Sequence, residues 1–265
     1  MSTAQIAIID GHIVPAGEAR LPITDEGLVR GDAIFEVIRV YNGTPFAIEE
    51  HLDRMTRSGE NLRLSFDREA LAADTQRLVH AAPSMNCMVR LIVTRAGHRI
   101  GIVEDRRIIE EPVTLQTITY QPTLLLDQTK SVSYAANMMA TRLAQERGAE
   151  EALLVSPDGT VLEGPTFSVF FRIDDGPFVT PPLSDRVLDS ITRRLLLAAD
   201  LGAVEQTVTL ADLERATEAM AVSTAREVQP VSEIDGRALP VVGGEQTAAM
   251  QQAFRRRVEQ ELAAG

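Results

Sequence analysis

The sequence has almost no lysine. Of its 26 lysine and arginine residues only Lys130 is a lysine. The two cations are largely interchangeable on a solvated surface, but only the lysine amine can lose its proton near neutral pH and attack a carbonyl group. Lys130 is therefore a candidate for covalent chemistry. A coding bias that replaced the other lysines by arginine is the alternative explanation.

Cysteine and histidine are also scarce. The single cysteine, Cys87, excludes an internal disulfide, and its apolar neighbours in NCMVRLIV predict a buried, reduced thiol rather than a nucleophile. The four histidines are scattered along the chain without the spacing of metal ligands. We therefore expect no metal site.

Long apolar runs and positive charge are missing as well. No apolar run approaches the ~20 residues of a membrane span, and the N-terminal residues lack the basic start of a signal peptide. We therefore expect a cytoplasmic protein without a membrane partner. The net charge of −12 argues against nucleic acid, which needs a clustered cationic surface. The basic triplet Arg255-Arg256-Arg257 lies in a predicted amphipathic C-terminal helix.

The first half of the chain reads as strands and two helices. The runs IAIIDGHIV and IFEVIRVYNGTPFAI are hairpin patterns around Asp10-Gly11 and Asn42-Gly43. Apolar residues at helical spacing follow in EEHLDRMTRSGENLRL and DREALAADTQRLVHAA, and CMVRLIVTR returns to a strand. These patterns predict an α+β unit.

The second half alternates helices and strands without a repeated βαβ pattern. YAANMMATRLAQERG and ITRRLLLAADLG are predicted helices, and EEALLVSPDGTVLEGPTFSVFFRI is a predicted hairpin. The fold class is therefore α/β, in two domains. We place a small N-terminal α+β domain at residues 1–113, a link at 114–122 and a large C-terminal α/β domain at 123–265.

Several stretches together resemble the fold-type IV pyridoxal phosphate family, which includes the D-amino-acid and branched-chain aminotransferases and aminodeoxychorismate lyase. They occur in the family's order and cover most of the chain: RGDAIFEVIRVYNG, EEHLDRM, the run from Lys130 through ERGAEEALLVSPDGTVLEGPTFSVF, DSITRR and AVSTAREVQPV. The resemblance implies the two-domain architecture of that family, pyridoxal 5′-phosphate as the cofactor, and Lys130 as the lysine that forms the Schiff base.

The resemblance also implies the residues that hold the cofactor. Glu163 matches the carboxylate that keeps the pyridine nitrogen protonated, Arg54 matches the phosphate-binding arginine, and Tyr134 matches a tyrosine set against the phenolic oxygen. Further cofactor contacts fall on Thr166, Ile191, Thr192, Ser223 and Thr224. Taken singly, each of these residues would be an ordinary surface charge, cap, turn or core residue.

Two departures from the family pattern affect these expectations. Where members often have Ser-Ser-Asn after the Glu-Gly pair, this chain has Pro165-Thr166-Phe167-Ser168, so the side-chain hydroxyls and amide of that loop are partly missing. The stretch before Lys130 is also shorter than usual.

The substrate site is predicted from the first domain. FEVIRVYNG most resembles the strand of D-amino-acid aminotransferases, and the threonine that lyases carry near Phe35 is absent. The carboxylate trap of bacillar D-enzymes, a tyrosine at the position of Phe35 and a downstream Arg-x-His, is not reproduced. We expect Arg30 and Arg90 to hold the substrate carboxylate instead. Arg30 precedes GDAIF at a position that is commonly aromatic, and Arg90 lies mid-strand in CMVRLIV, where a buried cation invites an anionic partner. An internal salt bridge is the alternative. Phe35, Thr224 and Ala225 are also expected to contact substrate.

The resemblance thus implies a transaminase that moves an amino group between an amino acid and a 2-keto acid by a ping-pong reaction. D-Alanine or D-glutamate are the expected donors. A branched-chain L-amino-acid aminotransferase, or less so an aminodeoxychorismate lyase, is the alternative, and the sequence alone does not fix D or L preference. The family further implies a homodimer with a shared active site.

Overall fold

The computed structural model describes residues 6–106, 109 and 111–264. The chain divides into two compact units. The first unit comprises residues 1–107, 128–133 and 258–265, and the second comprises residues 108–127 and 134–257. Among the described residues, no helix is long and apolar enough to cross a membrane.

The first unit is a six-stranded antiparallel sheet with helices on one face, in the strand order β2-β1-β6-β5-β3-β4. Its strands are β1 (Ile6–Ile9), β2 (His12–Pro15), β3 (Ala33–Tyr41), β4 (Thr44–Pro45), β5 (Cys87–Thr94) and β6 (Arg99–Asp105). Its helices are α1 (Glu26–Arg30), α2 (Ile48–Leu62) and α3 (Arg68–Ala81).

Local sequence explains much of this unit. The predicted hairpins are confirmed, since Asp10-Gly11 and Asn42-Gly43 both have the left-handed φ angles that such tight turns need. The two predicted helices are confirmed as α2 and α3. Their apolar faces pack on alternate residues of β3 and β5, including Ile34, Ile38 and Val89, to form the core of the unit. Cys87 is buried in this core as expected.

The second unit contains a ten-stranded mixed sheet in which β7, β8 and β15 are parallel neighbours. Its strands are β7 (Val113–Thr119), β8 (Glu151–Val155), β9 (Thr160–Val161), β10 (Ser168–Ile173), β11 (Phe178–Thr180), β12 (Val204–Glu205), β13 (Val208–Thr209), β14 (Ala216–Ser223), β15 (Glu227–Ile234) and β16 (Arg237–Ala238). Its helices are α4 (Ala135–Glu146), α5 (Ile191–Leu197), α6 (Leu210–Glu214) and α7 (Glu245–Ala264), the last of which ends in the first unit.

The second unit differs from the sequence prediction in the length of one helix. Strands β7 and β8 are parallel neighbours with α4 between them in the chain, which is a single βαβ order and not the repeated pattern that the sequence excluded. The helix predicted over ITRRLLLAADLG ends early, because Asp200 has a left-handed φ of 54°. The remaining predicted helices, α4 and the amphipathic α7, are confirmed.

The compact units also differ from the predicted domain boundaries. Residues 128–133 were assigned to the large C-terminal domain, but they belong to the first unit. The reason is backbone pairing with the start of β3: the Phe35 amide donates to the Lys130 carbonyl at 3.0 Å, and the Val132 amide donates to the Ala33 carbonyl at 2.9 Å. The short β4 pairs only with the far end of β3, so this edge is open to the segment. Val113, predicted to end the first domain, begins β7 of the second unit.

Candidate active site

Lys130 is held by its backbone in the first unit. Its carbonyl accepts the Phe35 amide of β3, and its own amide donates to the Ser58 hydroxyl on α2 at 3.1 Å. The side chain is partly buried, and Nζ lies 4.4 Å from the centroid of the Phe35 ring. The amine of the single lysine therefore sits against one ring face, with a backbone that two elements fix.

Arg54 lies on the same face of α2 as Ser58, one helical turn earlier. It is 5% exposed and forms a two-point ion pair with Glu36 of β3, with Nε donating to Oε1 at 2.6 Å and Nη2 donating to Oε2 at 2.7 Å. Such a bidentate pair fixes the plane of the guanidinium. The structure therefore places a buried, oriented cation on the helix that also carries the partner of the Lys130 amide.

His51 completes this buried cluster. Its Nδ1 lies 2.8 Å from Glu36 Oε2, and both side chains are buried. Burial lowers the pKa of His51, and the charges of Arg54 and Lys130 lower it further against the opposing effect of Glu36. Burial alone would raise the pKa of Glu36, but Arg54 and His51 hold it well below its usual value. His51 is therefore a neutral imidazole that donates Nδ1–H to an ionised Glu36.

Glu36, His51 and Ser58 were missed by the sequence interpretation. A signal for them was present, since a glutamate interrupts the apolar strand AIFEVIRVY, and His51, Arg54 and Ser58 recur at helical spacing. The pattern alone did not show that the helix face meets that strand.

Arg90 lies on the sheet face opposite the helices. It stands opposite Val37 in the β3–β5 pairing, and its Cζ lies 5.5 Å from the centroid of the Phe35 ring. Its guanidinium donates to both carboxylate oxygens of Glu104 on β6, from Nε at 2.6 Å and from Nη2 at 3.2 Å. The salt bridge considered as the alternative to substrate binding is thus present in the structure, with the Arg90 side chain 34% exposed.

Arg30 has a different setting. It is the last residue of α1, its side chain is 72% exposed, and it pairs loosely with Glu26 one turn earlier at 3.6 Å. Asp25, the residue before α1, is buried. Its carboxylate caps the helix by accepting the Gly27 amide at 2.7 Å, and it also accepts the Thr94 hydroxyl at 2.8 Å. Arg30 is therefore an exposed cation on an anchored turn.

Glu163 lies in the second unit, directly after β9. Its Oε1 accepts the Leu188 amide at 3.0 Å, and the side chain is partly buried. Burial and the negative charge of Glu163 together raise the pKa of Tyr120. Tyr134 is partly buried at the N-terminal end of α4.

The loop that departs from the family pattern is a tight turn in the second unit. The Gly164 amide donates to the Phe167 carbonyl at 2.8 Å, and a Cβ on Gly164 would lie 2.1 Å from the buried Phe167 ring. Thr166 is exposed at the tip, whereas Ser168 is buried with no hydrogen-bond partner for its hydroxyl among the described residues. The loop therefore needs glycine at position 164 and carries a bulky ring in the stretch where family members often have Ser-Ser-Asn.

The other predicted cofactor residues of the second unit lie at two turns. Ile191 and Thr192 are buried in the first turn of α5, which the Ser190 side chain caps through the Arg193 amide. Ser223, Thr224 and Ala225 form the partly buried turn between β14 and β15, where the Ser223 hydroxyl accepts the Arg226 amide at 3.2 Å. Both turns thus present backbone and hydroxyl groups, and their roles toward a ligand stay predictions.

Comparison with known proteins identifies the family of the whole chain. The family model described as Amino-transferase class IV matches residues 33–234. A putative branched-chain-amino-acid aminotransferase of Methanocaldococcus jannaschii is 30% identical over 87% of this chain and 88% of its own length. The D-alanine aminotransferase of Bacillus licheniformis is also 30% identical, over 88% of this chain and 89% of its own.

Among solved structures, a hypothetical aminotransferase from Mycobacterium tuberculosis with α-ketoglutarate and pyridoxamine phosphate bound has a TM-score of 0.86 and 27% identity. The match covers 97% of this chain and 99% of that one.

Proposed function

Because the chain belongs to the class IV aminotransferases and is a pyridoxal-phosphate-dependent transaminase, we propose that its amino donors are D-amino acids such as D-alanine or D-glutamate. The amino group passes to a 2-keto acid by a ping-pong reaction. The observation that supports recognition of an amino acid is that the Lys130 amine and the Arg90 guanidinium both lie against the Phe35 ring. This arrangement suits a substrate that carries both an amino group, to react near Lys130, and a carboxylate, to bind Arg90.

The residues of the first unit fit the cofactor. Pyridoxal 5′-phosphate needs an amine near its aldehyde and cations near its phosphate, and it supplies a ring that accepts electrons from the substrate. Lys130 provides the amine. Arg54 provides a buried guanidinium whose orientation Glu36 fixes, and a planar cation of this kind suits a phosphate oxygen. We propose these roles for Lys130 and Arg54.

The residues of the second unit have proposed roles of their own. Glu163 would hold the proton of the pyridine nitrogen, because the Leu188 amide orients its carboxylate. Tyr134 would be set against the phenolic oxygen. The remaining cofactor contacts would be backbone or hydroxyl donors of three turns: Thr166 of the turn before β10, Ile191 and Thr192 of α5, and Ser223 and Thr224 of the β14–β15 turn.

Lys130 then acts as the proton carrier of the reaction. Its Nζ removes the proton from the substrate α-carbon in the first half-reaction and returns a proton to the keto-acid carbon in the second. Phe35 covers one side of the amine and keeps water from that side. Arg90 and Arg30 hold the substrate carboxylate, and Thr224 and Ala225 contact the substrate.

A branched-chain L-amino-acid aminotransferase is the second candidate. It is favoured by the Methanocaldococcus jannaschii relative, which is as similar to this chain as the D-alanine aminotransferase. The D-preference is supported by the strand FEVIRVYNG and by the D-alanine aminotransferase relatives.

The test is a panel of D- and L-amino acids with 2-oxoglutarate as acceptor. Faster turnover of L-leucine or L-valine than of any D-amino acid would assign the protein to the branched-chain group. Arg30→Ala and Arg90→Ala are then assayed with D-alanine and with a carboxylate-free (R)-amine. Loss of an arginine–carboxylate contact should lower kcat/KM for D-alanine roughly ten- to a hundredfold and leave the amine reaction nearly unchanged. Equal losses with both substrates would indicate structural salt bridges.

A further inference from the structure

The guanidinium of Arg90 already has an anionic partner, because Glu104 occupies one of its edges. The two side chains lie on the same face of neighbouring strands, because Arg90 stands opposite Ile102 and Glu104 follows two residues later in β6. Nε and Nη2 of Arg90 donate to the two carboxylate oxygens of Glu104. A substrate carboxylate that approaches Arg90 therefore meets a site whose charge is already compensated.

The pair is exposed enough to respond to a ligand. The side chains are 34% and 24% exposed, in contrast with the fully buried pair of Arg54 and Glu36 on the other face of the sheet. Among the described residues, Arg90 donates hydrogen bonds to Glu104 and lies over the Phe35 ring. The positive charge of Arg90 is thus compensated mainly by one partly exposed carboxylate. Water screens the attraction between the two groups, which weakens it but does not remove it.

From this geometry we infer that Glu104 is a specificity-determining residue: its carboxylate competes with the substrate carboxylate for Arg90 and raises the KM for amino acids and keto acids. The inference rests on the proposed role of Arg90 in binding that carboxylate. Glu104 has no such effect on an amine substrate without a carboxylate, because that substrate does not need the cation. Glu104 therefore lowers the ratio of kcat/KM for amino acids to kcat/KM for simple amines.

The variant Glu104→Gln separates charge from geometry. A glutamine oxygen can still accept Arg90 Nε, but the negative charge is gone. In the holoenzyme, with whichever alanine enantiomer is turned over faster, we expect the KM to fall about three- to tenfold at unchanged kcat. The dissociation constant of propionate, measured by calorimetry, should fall by a similar factor. The kinetics with (R)-1-phenylethylamine should not change.

Two further variants sharpen the test. Asp174→Asn removes a carboxylate from Arg215 on the exposed surface of the second unit, and it should change none of these values. The double variant Glu104→Gln/Arg90→Ala should behave as Arg90→Ala alone, because Glu104 acts through the arginine.

The outcomes separate the inference from the function on which it rests. An unchanged or raised KM for alanine in Glu104→Gln, or an equal fall in the KM for the amine, overturns the role of Glu104. If Arg90→Ala still weakens alanine turnover and propionate binding, the role of the arginine stands. If Arg90→Ala leaves the alanine and propionate values unchanged, the carboxylate-binding role of Arg90 fails first, and the inference fails with it.

Discussion

Lys130 owes its position to contacts far along the chain. Its carbonyl accepts the Phe35 amide of β3, and its amide donates to the Ser58 hydroxyl of α2. Its amine lies over the Phe35 ring. Since no other lysine exists in the sequence, no second side-chain amine of this kind can replace it. The scarcity of lysine and the fixed position of Lys130 therefore point to the same residue as the covalent partner of the cofactor.

We predict that Lys130→Ala abolishes transamination, because the variant lacks the amine that links the cofactor and moves the proton. Borohydride reduction of the wild-type holoenzyme followed by peptide mapping should place the pyridoxyl group on Lys130. Lys130→Arg serves as the charge-matched control and should be equally inactive. Label at the N-terminal amine of the wild-type protein would refute the assignment.

His51 makes the buried cluster sensitive to acid. The pKa of His51 is below its usual value of 6.5 in the folded protein, so the unfolded chain takes up a proton that the folded chain refuses. The contribution of His51 to stability is therefore complete above pH 6.5 and is lost as the pH falls below it. Glu36 acts in the same direction only at lower pH, since its usual value is 4.5 and its folded pKa is lower still.

We predict that the free energy of unfolding falls as the pH drops below 6.5, by at most about 1.4 kcal/mol per pH unit from this one group. His51→Asn keeps a donor for Glu36 but does not titrate, so its slope across that window should be flatter in urea denaturation. His12→Asn, at an exposed strand position, controls for the loss of a histidine. Identical slopes for wild type and His51→Asn would contradict the prediction.

At the scale of elements, helix α2 is anchored at both ends by side chains distant in sequence. At its start, Glu261 of α7 accepts the Ala47 amide at 2.5 Å, where the helix has no cap from its own side chains and Ala47 has a left-handed φ of 52°. At its end, Arg95 donates to the carbonyls of Leu62 and Arg63. Because α2 carries His51, Arg54 and Ser58, these anchors hold the proposed phosphate-binding group in place.

We predict that Glu261→Ala destabilises the protein by about 1–2 kcal/mol, since it removes the acceptor and the negative charge at the start of α2. The midpoint of thermal unfolding should fall by about 2–6 °C for a chain of this size. Glu259→Ala, exposed on the same helix, is the matched control and should leave the midpoint unchanged. Equal midpoints for the two variants would show that the Ala47 contact does not stabilise α2.

At the scale of the whole molecule, the first unit exposes apolar side chains that its own core does not use. Ile23 is 79% exposed, and Leu28 and Val29 on α1 are 59% and 61% exposed. Three large apolar residues within one short segment are typical of a surface that meets another chain. Arg30 follows directly after them.

We predict a homodimer in which these residues are covered. Light scattering at working concentration should give about twice the chain mass of 28.9 kDa. Leu28→Glu/Val29→Glu should shift the protein toward the monomer, because two buried charges without partners are costly. Asp53→Lys, on the solvent side of α2, is a control for added surface charge. A fully active wild-type monomer would contradict the prediction.

The sequence by itself determined the features that depend on neighbouring residues and on recognisable motifs. The hairpin turns at Asp10-Gly11 and Asn42-Gly43 follow from left-handed φ preferences, and α2 and α3 follow from apolar residues at helical spacing. The family motifs around Lys130 identified the class of enzyme and its cofactor, as the comparisons confirm. Such signals are local, so a single sequence displays them.

Only the tertiary structure decided which charged residues meet. Glu36 pairs with Arg54 and His51, and Arg90 pairs with Glu104. The segment of Lys130 pairs with β3, which lies far from it in the sequence. These contacts depend on strand register and on which helix face meets the sheet, and many other acids in the chain carry the same charge. Charge is not specific for a partner until the backbone brings two groups within hydrogen-bonding distance.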